Sequence, residues 1–177
     1  IVDTRISTAV NAAERRRLIK KLEQERPEIH DKYLQAKAEA DKNLDYVRSS
    51  GRYPLTGKGD INTYVVFAEL ASQIVSPAGR VGLLLPSGIS TDDTTKEFFG
   101  SLVTDQRLSA VYDFENKVPI FPDVHRSFKF SAFLFGGTDQ KNNELDFVFF
   151  AHTMDEIKDK TRRVKLSAAD IALVNPN

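Results

Sequence analysis

The 177-residue sequence contains no cysteine, which excludes disulfides, thiolate metal sites and a catalytic thiol, and which fits a cytoplasmic setting. It holds no apolar run approaching the roughly 18 residues that a membrane span needs, so no membrane partner is expected. Its first residues, IVDTRISTAV, lack both an initiating Met and the charged-then-apolar order of a signal peptide. They read as a connecting segment, so the chain is expected to be an excised piece of a longer one. Neither sign of charge is in excess: 25 Lys and Arg balance 25 Asp and Glu. That balance excludes the whole-domain basic footprint of an autonomous nucleic-acid binder, and any such contact must come from local patches. What is present is a globular composition, 41% hydrophobic, long enough for one domain with or without an appendage.

Recognisable catalytic punctuation is also missing. Gly57-Lys58-Gly59 is not a phosphate-binding P-loop, because the GxxxxGK[ST] spacing is absent and no apolar strand precedes it. A loop role is the simpler reading, although Lys58 near a helix N-terminus can meet a phosphate. His30, His125 and His152 lie too far apart, and too poorly matched to carboxylates, to predict a metal cluster. No GxSxG elbow appears, and Ser87, directly after an apolar run, is weak evidence by itself.

The periodicity divides the chain. Residues 1–52 form a charged helical arm: Leu18, Ile19 and Leu22 have helical spacing, Pro27 interrupts, and Ile29, Tyr33, Ala36, Ala40, Leu44 and Val47 make one narrow apolar stripe on a second helix. Arg15, Arg16, Arg17, Lys20 and Lys21 are the most basic stretch, but Glu14, Glu23 and Glu25 make a solvated face the simpler reading. Ser49 to Asp60, with three glycines and a proline, is the best boundary. Residues 53–177 then follow α/β grammar. Asp60 is placed to cap a helix with Ile61, Val65, Ala68 and Ile74 facing inward. VGLLLP (Val81 to Pro86), unalternating, reads as a strand covered on both faces, as in parallel sheets. Ser90-x-x-Asp93 and Thr94-x-x-Glu97 offer capping boxes for a helix carrying Phe98, Phe99, Leu102 and Val103. Strands are predicted at Leu108–Phe114, Phe128–Phe135 and Leu145–His152, a short helix near Asp155–Lys160, and another opened by Ser167-x-x-Asp170. The order describes the end of an α/β sheet closed by an antiparallel hairpin.

Between the first two of those strands hangs ENKVPIFPDVHRS, with Phe121-Pro122 near its middle and His125, Arg126, Ser127 and Lys129 close behind. One reading makes Phe121 a plug that packs the loop onto the sheet edge. The other makes it a π-face for an extruded nucleobase, flanked by cations.

Three stretches, LTGKGDINTYVVFAELASQ (Leu55 to Gln73), GRVGLLLPSGISTDDTTKEFF (Gly79 to Phe99) and LSAVYDFENKVPIFPDVHRSFKFSAFLF (Leu108 to Phe135), resemble the gamma class of adenine-N6 DNA methyltransferases. The likeness is to the large single-chain restriction-modification and phage-defence enzymes, and it runs from about Ala12 to Asn177. It implies a partial Rossmann-like sheet in which VGLLLP is the fifth strand and the strands at Leu108 and Phe128 form the terminal hairpin. It further implies that Phe121, with Pro122, contacts the flipped target adenine, and that Lys58, His125, Arg126 and Lys129 lie where DNA contacts are expected. The family binds S-adenosylmethionine with a glycine-rich turn and an acidic residue on the first strands, and its catalytic motif is Asn-Pro-Pro-aromatic. Neither is in this sequence, and Asn175-Pro176-Asn177 lacks the second proline and the aromatic. The resemblance therefore implies the C-terminal half of a methyltransferase domain. Such a half is inert alone, binds no S-adenosylmethionine by itself, and meets double-stranded DNA only when joined to the N-terminal half. The alternative from a different class is a non-catalytic DNA- or protein-interaction module that works through the helical arm.

Overall fold

The computed structural model describes residues 3–174, so Asn175-Pro176-Asn177 lies outside the described residues. The chain divides between Ser50 and Gly51 into two compact units.

The first unit is helical: α1 (Thr4–Ser7), α2 (Ala12–Glu25) and α3 (Pro27–Ser49). Asn11 caps α2 by accepting the Glu14 N–H at 2.9 Å. Pro27 opens α3 at its first turn, where a missing N–H costs nothing. Leu22 is buried on α2, while α3 buries no residue fully and leaves Tyr33 and Leu44 of its apolar stripe exposed. No helix among the described residues is long and apolar enough to cross a membrane.

The second unit is a mixed five-stranded sheet with helices. Its strands are β1 (Arg80–Pro86), β2 (Leu108–Glu115), β3 (Lys129–Gly136), β4 (Leu145–Ala151) and β5 (Val164–Leu166), ordered β1-β3-β2-β4-β5. The helices are α4 (Thr63–Ile74), α5 (Gly88–Thr91), α6 (Lys96–Thr104) and α7 (Ala168–Val174). β2 and β3 form the expected antiparallel hairpin, with Val111 opposite Phe133 and Phe114 opposite Phe130. β4 then runs parallel to β2 on its other side, so the β3–β4 connection passes around the start of β2. Arg107 anchors that passage, its backbone carbonyl accepting from Gly136 N at 2.8 Å and its Nε donating to the Gly136 carbonyl at 2.9 Å. The main core lies on one sheet face: Phe133, Phe135, Val111 and Phe147 from the strands meet Phe98 and Leu102 of α6 and Ala68 of α4. Phe114, Val148 and Ala151 form a smaller core on the other face.

Several details differ from the sequence reading. VGLLLP is not covered on both faces: β1 pairs with β3 alone among the described residues, antiparallel, and Leu84 is 55% exposed. A run without alternation fits burial on both faces, but among the described residues the main core packs on one face of β1 only, the face of Val81, Leu83 and Leu85. Asp60 does not cap α4, which starts at Thr63 behind Asn62 with no side-chain cap. Ile74 points outward because it lies six residues beyond Ala68, off the stripe that buries Val65, Ala68 and Glu69. The Thr94-x-x-Glu97 box does not form, because a 3-10 turn at Asp93–Thr95 leads into α6 and removes the extended backbone a cap needs. Thr95 instead turns its buried hydroxyl onto the carbonyls of Gly88 and Asp92. Asp155–Lys160 is a series of turns rather than a helix, while the Ser167–Asp170 box does open α7. β5, three residues long, is too short for the alternation that marks a strand.

Candidate functional site

β1, β2 and β4 point the same way, so their carboxyl ends and the start of β3 share one edge of the sheet. In open α/β sheets that edge is where ligands bind. The loop carrying Phe121 sits there, and it is built around one amide. Asn116 is fully buried and spans three backbone groups. Its Nδ2 donates to the carbonyls of Phe121 at 3.0 Å and Val124 at 2.8 Å, and its Oδ1 accepts the Phe121 N–H at 3.1 Å. Two successive turns, Val124 N to Phe121 O and Phe128 N to His125 O, complete the loop. Phe121 rests edge-on against Phe130 (5.2 Å between centroids, 70°), which stacks on Phe114 (5.2 Å, 9°). Packed on one side, Phe121 keeps 38% of its surface exposed.

The other predicted residues are spread around this edge. Pro122 and Arg126 are exposed on the same loop, and Arg126 forms no ion pair among the described residues. His125 Nδ1 lies 2.8 Å from Ser127 Oγ and accepts the Ser127 N–H at 3.2 Å. Lys58 pairs with Glu97 at 2.7 Å, both side chains exposed. Lys129 is not brought together with Phe121. Adjacent strand residues face opposite ways, so Lys129 lies on the sheet face opposite Phe130, with its Nζ 4.9 Å from the Phe150 ring centroid. Among the described residues no group of three or more His, Asp or Glu is placed to hold a metal ion.

Two features here escaped the sequence reading. The first is Asn116, whose only signal is an amide at the end of a strand, where such side chains organise turns. The second is a bulge in β4. Tyr112 pairs with Val148 and Phe114 with Ala151, so two steps along β2 match three along β4, and Phe150 takes a left-handed φ of 53°. For a bulky residue that conformation costs roughly 1–3 kcal/mol. The double aromatic Phe149-Phe150, which breaks alternation, was the available sign.

Beneath the bulge lies Asp113, hydrogen-bonded to the Ser131 hydroxyl at 3.0 Å and to the Phe150 N–H. Burial pushes its carboxyl above the ordinary value of 3.8, against the lowering effects of those bonds and of the Lys129 charge. The native state therefore keeps this proton where the unfolded chain has released it. The group favours folding below pH 3.8 and loses that contribution as pH rises through its raised value. Asp113→Asn is expected to remove the effect, so urea unfolding across that range should show wild type losing stability relative to the variant as pH rises. A difference that is flat with pH would contradict this.

No protein-family model and no curated protein sequence matches the chain. Solved structures do. The methyltransferase subunit of a type I restriction-modification system from Streptococcus thermophilus aligns over 74% of this chain at 16% identity, with a TM-score of 0.55. The chain has the fold of a segment of that methyltransferase subunit. The type IIG restriction endonuclease BpuSI aligns over 68% at 15% identity, with a TM-score of 0.50. A DNA-bound type ISP restriction-modification enzyme, LlaBIII, aligns more loosely over 71% at 10% identity, with a TM-score of 0.46. The chain spans about a third of the first protein and about a sixth of the second, 33% and 16% of their lengths.

Proposed function

We propose that the chain is the C-terminal part of a Rossmann-like catalytic domain in a restriction-modification DNA adenine-N6 methyltransferase, where Phe121 forms one wall of the pocket for the extruded adenine. The observation that carries this reading is the position of Phe121. It is fixed through Asn116 at the ligand-binding edge of the sheet, backed by Phe130 and Phe114, and still more than a third exposed at 38%. An extruded base needs a rigid aromatic face at such an edge. The fold likeness to a methyltransferase subunit supports the class, and the unpaired edge of β1 supports a missing neighbouring strand from the N-terminal half.

In this mechanism the residues of the chain bind and orient. The Phe121 ring stacks on the base after it leaves the duplex, and Asn116 holds the ring so that little loop ordering is left to the binding step. Arg126 and His125 on the same loop, and Lys58 in the loop before α4, supply positive charge or hydrogen-bond donors to the DNA backbone. S-adenosylmethionine does not fit the residues present: the carboxyl ends of β1, β2 and β4 lead into Ser87, Asn116 and His152, with no glycine-rich turn at β2 or β4 and only the single Gly88 after β1. Its site, and the transfer step, belong to the N-terminal half.

Phe121→Ala in the intact enzyme is expected to slow methylation of a DNA duplex by roughly 5- to 150-fold, matching about 1–3 kcal/mol for one stacked base. Salt-dependent affinity for the duplex should stay within about twofold, since phosphate contacts set it, and the 177-residue chain assayed alone should give no methylation. Unchanged methylation with a fall in non-specific DNA affinity would instead favour the helical arm as the working part.

A further inference from the structure

On the sheet face opposite Phe121, a cavity of about 400 Å3 opens at the same edge, between the sheet and helices α5, α6 and α7. Phe99 of α6 and Phe147, Phe149 and Phe150 of β4 supply aromatic walls. The Asp113 carboxyl, 9% exposed, is the acidic group in the lining. A carboxyl group can accept about four hydrogen bonds, and here two come from Ser131 and the Phe150 N–H. Acceptor capacity is therefore left for a donor inside the cavity. Lys129 also lines it, its ammonium lying against the Phe150 ring.

Phe150 gives the second line of evidence. Its left-handed backbone is strained, and burial of the ring does not offset that strain, because the residue is 55% exposed. Strained residues of this kind concentrate at ligand sites, and bulges beside active sites re-aim side chains. A flat ligand stacked on Phe150 would remove the exposed ring face from water. Aromatic walls, a buried acceptor and a cation near the opening together match a planar heterocycle with an N–H donor and an attached anion.

We propose that this cavity binds a second nucleobase, one that bears an exocyclic amino group, with its ring against Phe150, its amine donating to Asp113 and its phosphate meeting Lys129. It is separate from the wall formed by Phe121, because the two lie on opposite faces of the sheet. The choice of a nucleotide as ligand rests on the reading of this edge as a DNA surface, while the cavity itself does not depend on methyl transfer.

The test is a titration of the isotope-labelled 177-residue chain with the 5′-monophosphates of deoxyadenosine, deoxycytidine and thymidine, and with deoxyribose 5-phosphate, following the amides of Lys129, Phe149 and Phe150. Saturable shifts are expected for the two amino-bearing nucleotides with dissociation constants near about 1 mM. Thymidine monophosphate, whose one base N–H lies between two carbonyl oxygens that would crowd the Asp113 carboxylate, should bind at least about fivefold more weakly. Phe150→Ala should weaken binding roughly 5- to 150-fold, with Phe149→Ala as a second exposed substitution if the first disturbs the bulge. Phe121→Ala should leave these affinities unchanged, so this inference and the methylation reading fail on different results. Equal binding of thymidine monophosphate or deoxyribose phosphate would overturn the proposal, as would an absence of saturable shifts, or loss of binding on Phe121→Ala with Phe150→Ala unaffected.

Discussion

Replacing Glu69 with alanine is expected to destabilise the α/β unit by about 3–5 kcal/mol, as the loss of three hydrogen bonds and a small cavity together require. Glu69 is 1% exposed on the inner face of α4. Its carboxyl accepts the Thr56 N–H at 2.9 Å, the Thr56 hydroxyl at 2.6 Å and the Leu55 N–H at 3.3 Å. These bonds clamp the Gly-rich loop that carries Lys58 onto the helix following it. Removing the side chain leaves two backbone donors and a buried hydroxyl without partners, a heavier loss than the bonds alone. Glu69→Gln separates the two effects. Its amide oxygen can stay on Thr56 while the NH2 group faces only the longer Leu55 contact, so the cost should be near 1 kcal/mol. Urea unfolding of wild type and both variants reads the ranking, and equal midpoints for all three would show that the clamp carries no stability.

Asn116→Ala is the second large effect, and it is local. The variant leaves the Phe121 N–H and the carbonyls of Phe121 and Val124 without their partner. About 2–4 kcal/mol is lost from the loop, far less from the sheet, whose main core does not include the loop. Amides of the loop should then exchange with solvent roughly 30- to 1,000-fold faster, with β2 and β3 nearly unchanged. In the intact enzyme, methylation should fall at least as far as in Phe121→Ala, because the ring is present but no longer held. Retained protection at Phe121 and Val124 would show that Phe130 packing alone fixes the loop.

The sequence made some of this visible. The stripe from Ile29 to Val47 and the proline at its start sufficed for α3, and two apolar segments around Val111 and Phe133, joined by a polar loop, sufficed for the β2–β3 hairpin. Phe121 stood out because a large aromatic in a polar loop needs either a packing partner or a ligand, and the structure gives it a partner on one side. Other features depend on contacts distant in sequence. β4 lies beside β2 rather than β3, and nothing within Leu145–Ala151 encodes which neighbour it takes. Leu83 and Leu84 look alike in a run, yet Leu83 packs against the main core and Leu84 is exposed on the other face, a difference set by where elements distant in sequence pack. Asn116 and Glu69 read as ordinary polar residues until their partners are known.

The edge of β1 carries a further consequence, for assembly. Its ladder with β3 is unbroken from Arg80–Gly136 to Pro86–Phe130, without a bulge, and its only charge and only proline are the two end residues. Natural sheets shield their outer strands with interior lysines, bulges or prolines, because a bare row of N–H and C=O groups recruits any extended segment that meets it. β1 has none of these between its ends. Left open in this way among the described residues, the edge offers a template for self-association with any extended segment, a second copy of β1 included.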